Sequence, residues 1–528
     1  MSSRWVLPSV FQVLVLLSAA QFSPMLIWAT NLAEVGFPDG LIVWTAIVWV
    51  TAILIWVVGA RLDLPTGGVT SVAFWFVLGG SLLGVLAEDV PGGNVALLLS
   101  LVAFCAFVSR FHSDPRFKWL QAWVVAFVAI SPVTIASVST LTMSDSQISA
   151  PEPVDTGAFD EARDVVLVVF DAHASYSVVA EFFPGDPQPQ VEPIISAGAL
   201  LVPDMLANYT LTHLSLTSAF DMGYPVLDGA TIGEAEWADM MKAVRGENNL
   251  VDAFRLQGYR VVMVESGWSG FHCSSVADVC VGGPWPDEPT MLALQRTILG
   301  RVAYPRLREA SARGVVQSSQ WIEAELPSIL ENSLPDLVLI HLMLPHPPLR
   351  LDDACEFVDK PGLGGHTVAA PGMTVDEIEL RKIAYRKATL CASKVLADLS
   401  AIVADRATFV AFGDHGSDSL AQLHRVPENW GAEEVTERLG VLFVTNSDCS
   451  LAGVRSLVNM GRWLLSCLGG EPIPLLEDRH FVTIEAQRSV DAGPEPTREV
   501  TEMLWGGRAT QGSLREADGV GGNVARHN

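Results

Sequence analysis

Five apolar spans near the amino end constrain this chain more than any other feature: Trp5 to Ile27, Leu41 to Ala60, Val69 to Leu86, Val95 to Val108, and Leu120 to Leu141. Most approach the roughly 20 residues that a helix needs to cross a bilayer, the fourth being the shortest. A cleaved signal peptide fits poorly, because one apolar span is followed by four more. The sequence therefore predicts a transmembrane domain of about five helices over 1–142. Loop charge orients it: Arg4 precedes the first span, Arg61 follows the second, and Arg110, Arg116 and Lys118 lie between the fourth and fifth. The alternate loops hold Glu34 and Asp39, then Glu88 and Asp89, and no Lys or Arg. Positive loops stay inside, so the amino terminus is expected in the cytoplasm of a bacterial-type cytoplasmic membrane. An odd number of spans then sends everything after Leu141 outside.

Residues 143–163, polar, acidic and Pro-containing, read as a linker. The net charge of −26 falls almost wholly on the exported residues, which excludes a nucleic-acid partner needing a basic face. Cys105 sits inside a span; Cys273, Cys280, Cys355, Cys391, Cys449 and Cys467 lie in the exported part. Pairing of sequence neighbours, Cys273 with Cys280, Cys355 with Cys391 and Cys449 with Cys467, suits an oxidising compartment. Buried free thiols are the competing reading.

Asp164 to Phe170 is a continuous apolar, β-branched run ending at Asp171. Continuous rather than alternating apolarity marks a strand buried on both faces of a parallel sheet. Tyr259 to Val264, Leu337 to His341 and Ala407 to Phe412 repeat the pattern, and Val441 to Val444 is a shorter fifth. Helical spacing, as in Glu377 to Ala404, fills the intervals. Strand and helix alternate, so residues 164–505 are expected to form an α/β sandwich with a mostly parallel central sheet. The Gly-rich, polar residues 506–528 read as a disordered tail.

Function in such folds collects at the carboxyl ends of the strands. Asp171, His341 and the pair Asp414-His415 stand there. An adjacent Asp and His offer a hard oxygen and a borderline nitrogen to one cation, although Asp-His-Gly also makes an ordinary turn. Asp171 has the alternative of capping a helix, and His341 that of a satisfied core histidine. The segment Asn208-Tyr-Thr-Leu-Thr212-His-Leu-Ser215-Leu-Thr-Ser218 supplies a hydroxyl that a cation held by Asp171, Asp414 and His415 would activate as a nucleophile. Thr212 competes there with Thr210, Ser215, Thr217 and Ser218. His346, set between prolines, is a conspicuous loop residue. His213, beside Thr212, should point away; His173 and His424 are weaker candidates.

Asp171, Thr212-x-x-Ser215, His341-x-x-x-Pro345-His346-x-Pro348 and Gly413-Asp414-His415-Gly416 follow the order and spacing of the sulfatase branch of the alkaline phosphatase superfamily. With the spans before them, the chain resembles the membrane-anchored sulfatase-like group that includes lipoteichoic acid synthases and phosphoethanolamine transferases. The resemblance covers about Asp164 to Thr483. It implies an alkaline phosphatase/sulfatase-like fold with Asp171, Thr212, Asp414 and His415 as metal ligands. Thr212 would be the catalytic nucleophile, and His346 and His341 would bind substrate. One divalent ion is implied, Mn²⁺ or Zn²⁺, the ligand set also admitting Mg²⁺ or Ca²⁺. Thr212-His-Leu-Ser215-Leu216 lacks the Cys, Pro and Arg of the formylglycine signature, so formylglycine is not expected and phosphoryl-type transfer fits better than sulfate hydrolysis. After Asp414-His415-Gly416 the chain reads Ser417-Asp418 and then His424-Arg425, which departs from the usual pattern for a second metal. The anchor favours a phosphoglycerol- or phosphoethanolamine-type transferase working on membrane lipid or envelope glycan. An exported sulfatase- or phosphatase-type hydrolase, and a catalytically silent envelope-binding relative, are the alternatives.

Overall fold

Asp164–Phe170 forms the central strand, β1, and its next six residues after Asp164 are buried almost completely. The structure is a computed structural model. It describes residues 163–508 apart from 285, 289, 292–297, 359–372, 420–428, 470–471 and 484–496, plus isolated upstream positions. The expected transmembrane spans and linker lie outside the described residues except at isolated positions, as do His424 and residues 509–528. Among the described residues no helix is long and apolar enough to cross a membrane.

Around β1 the elements run in the order α1 (Tyr176–Phe182), α2 (Gln188–Ser196), β2 (Leu200–Leu201), α3 (Thr212–Asp221), α4 (Glu234–Val244), α5 (Asn249–Leu256), β3 (Arg260–Val264), β4 (Val279–Val281), α6 (Ile298–Ile329) and β5 (Asp336–Leu342). Then come α7 (Val375–Val403), β6 (Ala407–Phe412), α8 (Ala432–Leu439), β7 (Phe443–Thr445), α9 (Met460–Gly469), β8 (Phe481–Val482), β9 (Arg498–Glu499) and α10 (Thr501–Arg508). The sheet order is β2-β7-β6-β1-β5-β3-β4. β1 pairs in parallel with both β5 and β6, and β3 with β5 and β4. β7 runs antiparallel to β6. The expected α/β fold with a mostly parallel sheet is what forms. The last helix carries the chain to Arg508, three residues into the stretch read from sequence as tail.

Because side chains alternate across a strand, β1 serves two cores. Val165, Leu167 and Val169 join one, with Leu337 and Leu339 of β5, Leu216, Ala219 and Phe220 of α3, and Leu250 and Phe254 of α5. Val166, Val168 and Phe170 join the other, with Ile194 of α2, Ile322 of α6 and Leu396 of α7. Each buried side chain of this size stabilises by about 1.5–3 kcal/mol, which is why these runs read as unbroken apolar stretches. The three neighbour pairings of cysteine form as disulfides: Cys273–Cys280, Cys355–Cys391 and Cys449–Cys467. Parallel pairing aligns the carboxyl ends of β1, β5 and β6, and the candidate residues are gathered at that edge.

Candidate metal and nucleophile centre

Asp171 is the residue after β1, and its N–H donates to Leu342 O of β5 at 2.9 Å. The chain then turns through Ala172, whose φ is 62°. Ala172 N–H donates to Asp414 Oδ1 at 2.9 Å, while Tyr385 of α7 donates its hydroxyl to Ala172 O and accepts from Ala174 N–H. This clamp turns Asp171 toward the end of β6.

Asp414 and His415 lie between two glycines whose lack of a side chain is a steric requirement. A Cβ on Gly413 would stand 2.2 Å from His173 O, and one on Gly416 would stand 2.1 Å from Glu437 O. The first glycine lets the β6 end press against the β1 loop. The second lets it press against the end of α8.

Asp171, Asp414 and His415 each present one ligand atom, and these atoms all lie within 4.8 Å of one another, fully buried. His415 Nε2 is 3.7 Å from Asp171 Oδ1 and 3.4 Å from Asp414 Oδ2. Asp171 Oδ1 and Asp414 Oδ2 are buried with no hydrogen-bond partner. Burial pushes the Asp414 carboxyl up, and the adjacent Asp171 charge adds to this, to about 7. At Asp171 burial acts in the same direction, but His346, His341 and His415 outweigh it and hold that carboxyl well below the usual range. Burial, then Arg438, pushes His415 down to about 3, so its ring is the neutral form that ligates metals. Two buried carboxylates side by side repel unless a cation lies between them. Orphaned carboxylate oxygens and a bare imidazole nitrogen converging on one point are the donor set that a divalent ion would satisfy. Among the described residues one other cluster has metal-ligand types, Glu265 with Cys273 and Cys280, but its two sulfurs are joined to each other.

Thr212 is the first residue of α3, and Leu211 before it gives no side-chain cap. Its Oγ1 is 3.1 Å from His415 Nε2. One turn on, Ser215 donates to Asp414 O at 2.5 Å, so the i, i+3 pair grips both members of Asp414-His415. The competing hydroxyls have other engagements: Thr210 Oγ1 with Thr483 O, Thr217 with Met240 O, and Ser218 with Gly223 O.

His346 Nε2 lies 3.9 Å from Asp171 Oδ1, with its side chain 24% exposed. His341 Nε2 is 3.4 Å from Asp171 Oδ2, but that side chain is 0% exposed. Its ring is flanked by Phe271 and Trp268, with centroids at 5.1 and 5.5 Å. The structure thus sets His341 behind Asp171 and His346 at the open side. His213 turns away onto Trp237. His173 is buried between Phe170 and Tyr176, with Nδ1 against Ala174 O. Three residues that sequence reasoning passed over hold the site from behind: Tyr385, Arg438 and Arg381, the last paired with Asp418 at 2.5 Å. Their partners are backbone groups or one loop carboxylate, for which no local motif exists.

No family model and no curated protein matches the sequence. Among solved structures, the chain is similar to the C-terminal periplasmic domain of EcEptC from Escherichia coli, at 13% identity and a TM-score of 0.40, covering 68% of this chain and 99% of that one. It is also similar to the integral membrane protein lipooligosaccharide phosphoethanolamine transferase A (EptA) from Neisseria meningitidis, at 12% identity and a TM-score of 0.38, covering 87% and 96%. A third is the phosphonate monoester hydrolase of Agrobacterium radiobacter, at 12% identity and a TM-score of 0.40, covering 65% and 83%. These scores are low, and the functional conclusion is carried by the residues of the site.

Proposed function

We propose that this chain is a membrane-anchored, metal-dependent phosphoryl-group transferase of the sulfatase-like branch of the alkaline phosphatase superfamily. It would move a phosphoglycerol- or phosphoethanolamine-type group onto an envelope lipid or glycan through Thr212. The observation that carries this is the Thr212 hydroxyl, 3.1 Å from His415 Nε2, beside the mutually close donors of Asp171, Asp414 and His415.

These three residues and Thr212 would hold one divalent ion. When bound, the ion lowers the pKa of a coordinated hydroxyl and neutralises charge on the transferred group's oxygens. The chain's own residues supply the rest. Thr212 Oγ1 releases its proton to solvent and forms a bond to phosphorus as the bond to the donor alcohol breaks. His346, partly exposed at the open side, is placed to bind the transferred group and to give the departing alcohol its proton. The acceptor oxygen then bonds to phosphorus as the bond to Thr212 Oγ1 breaks, its proton passing to His346, and Thr212 regains its hydroxyl with a proton from solvent. His341 acts by fixing the orientation of Asp171, which it touches from the buried side. The histidines around Asp171 favour its ionised form, the form that ligates a cation. The apolar spans at the amino end support a substrate at the bilayer surface, since a soluble ester would need no such anchor.

The test is the purified full chain, analysed for metal and incubated with a headgroup-labelled phospholipid and an envelope acceptor. Thr212→Ala should abolish label transfer while keeping about one equivalent of metal, and Asp414→Ala should lose the metal as well. Full transfer by Thr212→Ala would refute the nucleophile.

A further inference from the structure

Arg438 lies on the last turn of α8 and is buried. Its Nε donates to Thr210 O at 2.8 Å, and its Nη1 donates to Gly416 O at 3.0 Å. The first acceptor is two residues before Thr212, and the second is the residue after His415. One planar guanidinium therefore ties the nucleophile segment to the ligand segment, two stretches that are far apart in sequence. The backbone closes the same link from the other side: Gly416 N–H donates to Arg438 O at 2.6 Å. Gly416 can approach this closely because it has no Cβ.

Gly416 O has a second donor. His415 Nδ1 lies 3.0 Å from it, and an acceptor there requires Nδ1 to carry the proton. The imidazole then presents Nε2 as a lone pair toward Thr212, Asp171 and Asp414. A histidine that ligates a metal is commonly oriented by what its other nitrogen donates to. The carbonyl that selects the tautomer is thus itself held in place by Arg438.

We infer that Arg438 is the positioning residue of this centre: by bridging Thr210 O and Gly416 O it sets the Thr212-to-His415 separation and locks His415 in the Nδ1–H tautomer. The inference rests on the proposed metal site. Lysine at this place has a single ammonium that does not span two carbonyls in the fixed plane of a guanidinium. It would preserve the charge and lose the bridge.

The experiment is equilibrium dialysis of the full-length detergent-solubilised chain against Zn²⁺ alone, comparing wild type, Asp414→Ala, Arg438→Lys and Arg438→Gln, with a melting curve for each. Arg438→Lys and Arg438→Gln should bind Zn²⁺ about 10–100-fold more weakly than wild type, the range for lost outer partners of a metal-ligating histidine. They should do so while still showing a cooperative melting transition. Wild-type affinity in either folded variant overturns the role of Arg438 and leaves the metal site standing. Absence of Zn²⁺ binding by the wild type itself overturns the metal site and this inference with it. A second measurement does not depend on any variant of Arg438 folding: the solid-state ¹⁵N spectrum of histidine-labelled, metal-free wild type, with His415 assigned from its missing signals in His415→Gln. Protonated Nδ1 supports the inference; protonated Nε2 overturns it.

Discussion

At Gly416 one hydrogen atom stands where any other residue would have a Cβ, and the site depends on it. A methyl there would lie 2.1 Å from Glu437 O, with Gly440 O and Arg438 O at 3.1 and 3.2 Å. All three are backbone atoms at the end of α8, so none yields as a flexible side chain would. Gly416→Ala should therefore force α8 and the Asp414-His415 turn apart. The expected loss is about 1–3 kcal/mol of stability, the range for strain imposed on a packed interior. Denaturant unfolding checks it, and a loss below about 0.5 kcal/mol would mean that the two segments separate freely. The residues that would do chemistry were legible in the sequence because their types announce it: Asp171, Thr212, Asp414 and His415 converge as their order suggested. Arg438 and Tyr385 were not, because each acts on backbone groups that every residue possesses. A sequence does not mark which carbonyls will face a buried guanidinium.

The junction of α3 and α5 carries a charge that the fold tolerates poorly. Asp221 is the last residue of α3 and accepts from Asn249 N–H, the first residue of α5, at 3.1 Å. Burial raises its pKa to about 6, with Asp252 adding to the rise against the Asn249 hydrogen bond. A carboxylate at a helix carboxyl end also meets unfavourable dipoles. The sign comes from linkage. The folded state prefers the neutral acid, so the contribution to stability is fully present below the unfolded pKa near 3.8 and is lost as pH rises through about 6. Asp221→Asn keeps an oxygen for Asn249 N–H and removes the charge. It should add about 1–2 kcal/mol at pH 7 and nothing near pH 3.5. Equal stability of the two proteins at pH 7 would show that Asp221 ionises at no expense in the fold. Among the elements, the four longer strands were legible because both faces are buried and at least four apolar residues run together in each. β2 and β4 are two and three residues long, too short for any period, and they are held by pairing with β7 and β3. The strand order and the reversal of β7 are properties of long-range packing, with no local signature.

Across the whole chain the three disulfides and the charge pattern of the amino-terminal loops are independent observations with one consequence. Cys355–Cys391 ties the hairpin after the His346 loop, where Leu351 bridges Phe357, to the middle of α7. The same helix carries Tyr385 and Arg381, so this bond joins the loop at the open side of the site to the helix that braces its back. Closing a loop of 36 residues restricts the unfolded chain by about 3–4 kcal/mol. The double variant Cys355→Ala/Cys391→Ala should lose stability of that order in denaturant unfolding. Bonds of this kind persist in an oxidising compartment and are rare where thiols are kept reduced. The positive loops predict a cytoplasmic amino terminus, and five spans would then deliver the disulfide-bearing domain to the opposite, oxidising side. Fusion of a reporter that is active only outside the cytoplasm should therefore be active after residue 150 and inactive after residue 64, in the loop that succeeds the second span. The reverse pattern would invert the topology. It would put three disulfides among reduced thiols, and it would separate the Thr212 centre from any substrate in the outer leaflet or the envelope.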